Sequence, residues 1–280
     1  MRPMRAVVRA TGAAALCAAL AAGCSSGGEP EEGGPGGQQT PGARTGQEDT
    51  TRGGTAATPT PAPSRLDFEV DPARAPDDHA GAAALAKTAA ALPEEFGRGF
   101  EKAAPYESSP RDWNVLDESC VWQRGTLPAD VLASFTRRSR LPAAGGKGLV
   151  RMSSTVTVHR TGSSADWEMA GTLEEALRCP DQRLGGAERV TGLMSLGSAY
   201  GEGGNLTADD ALMEAGKFVD ERIGGKAAYY AWHQARLGPV TLAVVVKGGK
   251  GFTDRQLNRS AAEALTFMKK RVREALGAAT

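Results

Sequence analysis

From Ser25 to Ser64 the chain has no leucine, isoleucine, valine or aromatic residue and consists almost wholly of Gly, Pro, Thr, Ser, Ala, Gln and charged side chains. Such a segment cannot bury enough apolar surface to offset the entropy lost on ordering. Any folded core must therefore come from residues 66–280, about 215 residues and long enough for one sizeable domain. The stretch 24–65 reads as a disordered tether, which as a flexible coil of about 40 residues would span roughly 35 Å root-mean-square.

Upstream of the tether, Arg2, Arg5 and Arg9 precede an apolar run from Ala10 to Ala22, and no acidic residue occurs among the first 28. This is the layout of a secretory signal. The run is too short to cross the hydrocarbon core, which needs about 20 residues. It ends in Leu20-Ala21-Ala22-Gly23-Cys24, which resembles the lipobox of bacterial lipoproteins, with Ala21 standing where a leucine is usual. The resemblance implies that residues 1–23 are a signal peptide, that cleavage precedes Cys24, and that acylated Cys24 anchors the protein in the lipid bilayer, facing away from the cytoplasm. The alternative is an ordinary cleaved signal that happens to end in a cysteine. Each buried CH₂ of an acyl chain contributes about 0.8 kcal/mol, so several chains hold firmly.

Removing Arg2, Arg5 and Arg9 from 33 basic residues leaves 30 against 33 acidic ones, a balance that argues against nucleic acid as a partner. Cys17 leaves with the signal and Cys24 is assigned to lipid, so Cys120 and Cys179 remain. In an oxidising compartment an even pair points to a disulfide; two free buried thiols or a redox pair are the alternatives.

Within 66–280, Ala82–Ala91 is helical in propensity and Pro93-Glu94-Glu95 looks like the first turn of a short helix. Strands are expected at Cys120–Gln123, Leu149–His159 and Val190–Tyr200, with a polar loop or lid over Gly201–Ala215. Ser163 or Ser164 would cap a helix through Arg178 whose Met169, Leu173, Ala176 and Leu177 share one face, and which carries Cys179 to Cys120. Ala228–Ala235 and Val240–Val246 read as a hairpin around Leu237-Gly238-Pro239. Thr253-Asp254-Arg255-Gln256 is a capping box, followed by Leu257, Ala261, Leu265, Met268, Val272 and Leu276 at helical spacing until Gly277. Together these predict a single disulfide-braced α+β domain, an antiparallel sheet covered by helices on one face.

The segment Leu92-Pro93-Glu94-Glu95-Phe96-Gly97-Arg98-Gly99-Phe100, the Cys120 strand, the unit ending in Leu177-Arg178-Cys179 and the closing strand plus helix resemble the extracellular sensor domain of mycobacterial membrane serine/threonine kinases and of actinobacterial surface lipoproteins. The resemblance implies a disulfide-braced α+β fold with a ligand cleft. That family usually carries a second disulfide, for which this chain has no cysteines.

Chemistry-bearing motifs are sparse. His79, His159 and His233 have no histidine or cysteine at metal-ligand spacing, so no metal and no cofactor is expected. Three Gly-Gly-Lys tripeptides, ending at Lys147, Lys226 and Lys250, lack the serine or threonine of a phosphate loop and read as turns. Converging, they would form an anion-attracting patch with Arg137, Arg138, Arg140 and Arg151. Tyr229, Tyr230, Trp232 and His233 form the densest aromatic cluster; alternation pairs Tyr230 with Trp232 on one face and Tyr229 with His233 on the other. One pair is core, and the other is the candidate lining of a ligand cleft. The expectation is a noncatalytic surface module binding a small-molecule, cell-wall or protein ligand. The alternatives are an envelope hydrolase, requiring His159 or His233 bonded to both a serine and a carboxylate, or a carrier of hydrophobic molecules.

Overall fold

The computed structural model describes residues 68–198 and 207–278; the signal, Cys24 and the tether lie outside the described residues. The main sheet contains eight antiparallel strands in the order β1 (Glu101–Glu107), β4 (Val131–Leu141), β5 (Val150–His159), β10 (Val240–Lys247), β9 (Ala228–Leu237), β8 (Asp210–Asp220), β7 (Glu188–Ser195) and β6 (Gln182–Gly185). A separate ribbon pairs β2 (Trp113–Leu116) with β3 (Trp122–Gly125). The helices are α1 (His79–Ala89), α2 (Gly162–Arg178) and α3 (Asp254–Leu276). This is the α+β domain braced by Cys120–Cys179 that the pattern predicts, with the two Cα atoms 5.5 Å apart.

The sheet is curled. Arg151 on β5 bonds Glu188 on β7 at 2.9 Å, although β10, β9 and β8 lie between them. Four strand spacings would separate them by roughly 19 Å in a flat sheet, beyond the reach of an arginine. The convex face carries the main core: Val156, Leu242, Val244 and Ala231 pack against α1 and against Leu257, Ala261, Ala264, Leu265, Met268, Val272 and Leu276 of α3. Each of the larger of these side chains contributes about 2 kcal/mol by burial. Thr253 and Gln256 form both halves of the expected capping box.

Covering on one face only is corrected: α2 packs on the concave face, where Ala176, Val190, Leu193, Phe218 and Tyr230 make a second core. The cap of α2 is Thr161, whose hydroxyl accepts from Ser164 N, rather than Ser163 or Ser164. Ala165, Met169 and Ala176 point inward, whereas Leu177, one position beyond the buried Ala176, is 81% exposed. The loop expected over Gly201–Ala215 is corrected from Asp210 onward, which is strand β8; residues 199–206 lie outside the described residues. Cys120 sits in a turn before β3 with φ +60°, not in a strand, and the Pro93 segment is a single 3₁₀ turn to Phe96. The β9–β10 hairpin turns on Gly238-Pro239, where φ +55° suits glycine and a Cβ would lie 2.4 Å from Val70. Gly277 ends α3 for a different reason: its φ is −64°, but a Cβ there would meet Arg273 O at 2.6 Å.

Candidate functional site

At the end of the sheet where the Gly238-Pro239 turn lies, β5 gives way to α2 and the β3–β4 connection passes beside the start of α1. These three segments enclose an open groove of about 450 Å³ lined by His79, Arg111, residues 125–129, Val131, Leu132 and Arg160. Each lining group is placed by the fold. A backbone bridge between Arg111 and Ser134 holds the approach to β2 against β4. Arg160 N donates to Asp130 O and its Nε donates to Ala129 O, both near 2.9 Å, so its guanidinium is aimed across the connection. His79, one residue past the α1 cap Asp78, donates from Nδ1 to Leu132 O at 2.7 Å, which fixes its ring. Leu127, Pro128, Val131 and Leu132 supply apolar wall, and no carboxylate belongs to the lining.

The aromatic quartet is placed elsewhere; none of its members lines this groove. Tyr229 and His233 face α3, where the Tyr229 hydroxyl and His233 Nε2 both donate to Asn258 Oδ1, at 3.0 and 3.1 Å. Burial holds the His233 ring below its ordinary pKa. Tyr230 is fully enclosed in the second core, with its hydroxyl pKa pushed up by burial and by Glu214 and Glu175. Half-buried Trp232 donates to Gln234 Oε1 at 3.2 Å. Both faces of β9 are thus covered, by α3 on one side and by α2 and the curled strands on the other.

The three Gly-Gly-Lys turns occupy the opposite end of the sheet, after β4, β8 and β10. Of the arginines expected to join them, Arg137 pairs with Glu107, Arg140 with Glu101, and Arg151 with Glu188 and Asp220, while Arg138 forms no ion pair among the described residues. Most of the expected patch is thus neutralised within the protein.

Sequence reading missed a polar hub beneath α2. Glu168 accepts from His159 Nε2 at 2.6 Å, Thr241 Oγ1 at 2.9 Å and Gln234 Nε2 at 3.0 Å, so that one helix carboxylate joins β5, β10 and β9. His159 Nδ1 is buried without a partner, so the ring bonds a carboxylate but no serine, and His233 bonds neither. The sequence signal was only that a glutamate falls beside Met169 on the inward side of α2. Glu168→Gln keeps the shape but turns an amide N–H towards one of these buried donors; we expect it to lower unfolding stability by about 2 kcal/mol, read as a lower urea midpoint at unchanged slope.

Among the described residues, no group of three or more histidine, cysteine, aspartate or glutamate side chains is close enough to hold a metal, and no helix is long and apolar enough to cross a membrane. No family model, curated protein or solved structure matches the chain.

Proposed function

We propose that the protein is a membrane-anchored extracytoplasmic lipoprotein whose folded domain is a noncatalytic ligand-binding or sensing module of the cell envelope, with the groove beside α1 as its binding surface. The observation that carries this reading is the groove itself: a water-open cavity of about 450 Å³ in which apolar wall meets guanidinium groups, the mixture by which small-ligand sites gain both affinity and orientation. The charged start, the short apolar run and the small residues before Cys24 support the anchoring, and the forty-residue tether would hold the domain clear of the bilayer. The resemblance to the actinobacterial extracellular sensor domain points the same way.

Intact mass spectrometry of the protein extracted from membranes tests the anchoring. The expected species begins at Cys24, carries acyl mass on that residue and leaves the membrane only with detergent. An unacylated chain in the aqueous fraction would overturn it.

A further inference from the structure

We propose that the groove binds a small organic oxyanion, a carboxylate or phosphate carried on an apolar body; this rests on the reading of the groove as the binding surface. The case begins with the two arginines of the groove. Arg137, Arg140, Arg151, Arg189, Arg222, Arg236 and Arg271 each meet a carboxylate. Among the described residues Arg111 and Arg160 form no ion pair, and neither do Arg98, Arg138 and Arg183; what sets Arg111 and Arg160 apart is that both line the same cavity. Of the neighbouring acids, Asp112 lies 3.8 Å from Arg124 and accepts from Ser109 N, and among the described residues neither Asp112 nor Asp130 forms an ion pair with Arg111 or Arg160.

An oxyanion in a groove lined by two guanidinium groups accepts their N–H donors in the fork geometry that arginine presents. With Nδ1 of His79 engaged by Leu132 O, Nε2 on the same wall has no hydrogen-bond partner among the described residues. The other half of the lining selects what the anion is attached to. Leu127, Pro128, Val131 and Leu132 offer no side-chain hydrogen bond, so an apolar body gains there by displacing water, and a sugar or peptide backbone does not. The side chains of Phe68 and Val70 lie beside Gly238, at the hairpin turn at this same end of the sheet. Both a dissolved organic anion and the phosphate of a lipid headgroup fit the chemistry.

The test uses the chain from residue 24 with Cys24→Ser, so that no acyl group intervenes, and follows backbone amides by NMR while titrating phenyl phosphate, benzoate and, as a neutral probe of the same shape, benzyl alcohol. We expect the anionic probes to shift the amides of residues 125–132 with a dissociation constant of about 1 mM or tighter. Arg111→Gln should weaken them about tenfold and Arg111→Gln/Arg160→Gln further, with benzyl alcohol unaffected. Arg111 makes no side-chain hydrogen bond among the described residues, so its single variant reads the charge without disturbing the β3–β4 connection. Equal binding of all three probes, unchanged by either substitution, would overturn the oxyanion assignment and leave the groove as a binding surface. No shift from any probe at about 10 mM would remove both. Within a positive result, sedimentation of the Cys24→Ser chain with phosphatidylglycerol vesicles, reversed by phenyl phosphate, assigns the anion to a lipid headgroup; its absence assigns it to a soluble molecule.

Discussion

Reducing the Cys120–Cys179 bridge is expected to lower unfolding stability by about 4 kcal/mol, the chain-entropy value for a loop of this length, and the melting temperature by roughly 10 °C. The effect should be uneven across the domain. The ribbon of β2 and β3 reaches the main sheet through few other links: the Arg111–Ser134 bridge, the Val121–Arg183 bridge, the Trp122 indole donating to Gln182 Oε1 at 2.8 Å, and Arg178 donating to Leu116 O and Asp117 O. Cys120 holds the turn between the two strands at φ +60°, which a residue with a Cβ adopts only when its surroundings enforce it. Without the bridge, amide exchange should accelerate first over residues 113–125 and at the end of α2, well before the β5–β10–β9 centre of the sheet opens. Because Gly125 and the following connection line the groove, anion binding should weaken with it. A Cys120→Ala/Cys179→Ala protein that melts and exchanges like the oxidised one would show that packing alone fixes the ribbon.

The second large effect is a loss of stability towards neutral pH. Glu214 on β8 is 4% exposed and its Oε1 has no hydrogen-bond partner; burial first, and Glu175 second, push its carboxyl up to about 7. Glu175 on α2 is also raised to about 7, chiefly by burial, with Arg178 opposing. In the unfolded chain both titrate near 4.5, so between about 4.5 and 7 the folded state holds more protons than the unfolded one. Stability then falls as pH rises across that window. At about 1.4 kcal/mol per unit, reduced for residual solvent access, the pair should remove on the order of 3 kcal/mol between pH 5 and 8. At the acid end the sign reverses: Asp220 is held well below the usual carboxylate range by Arg222 and then Arg151, against burial, so its contribution disappears as pH falls through its folded value. The melting temperature should peak near pH 5, several degrees above its value at pH 8. Glu214→Gln, which imitates the protonated acid, should flatten the neutral limb; an identical slope in that variant would acquit the glutamate.

The parts of the fold that could be read from the chain are those whose local chemistry and tertiary role agree. The Thr253 capping box, the apolar stripe from Leu257 to Leu276 and the Gly238-Pro239 turn each carry their own instruction, and each appears where its residues require. The first half of β8 did not read as a strand because Asp210, Glu214 and Gly216, on the face opposite Ala211, Met213 and Ala215, make the segment polar in composition. Those polar residues face the inside of the curl, where α2 and neighbouring side chains cover them, and a rule that equates polar with exposed misplaces them. Leu177 misled in the opposite direction, an apolar residue one step past the last inward position of α2. The groove had no signature at all. His79, Arg111 and Arg160 are ordinary surface residues in sequence, and only the return of β4 beside α1 and the β5–α2 junction makes them neighbours.

The two borders of the eight-stranded sheet bear on how copies of the domain behave when concentrated together. Along β1 the outermost backbone runs Glu101-Lys102-Ala103-Ala104-Pro105-Tyr106-Glu107, charged at both ends and deprived of one N–H by its proline, and it pairs with β4 at only three positions. The far border, β6, is four residues long and ends in glycine. Neither offers a second molecule an uninterrupted row of donors and acceptors to extend. Crowded copies would therefore stay separate molecules and not fuse strand to strand into fibrils.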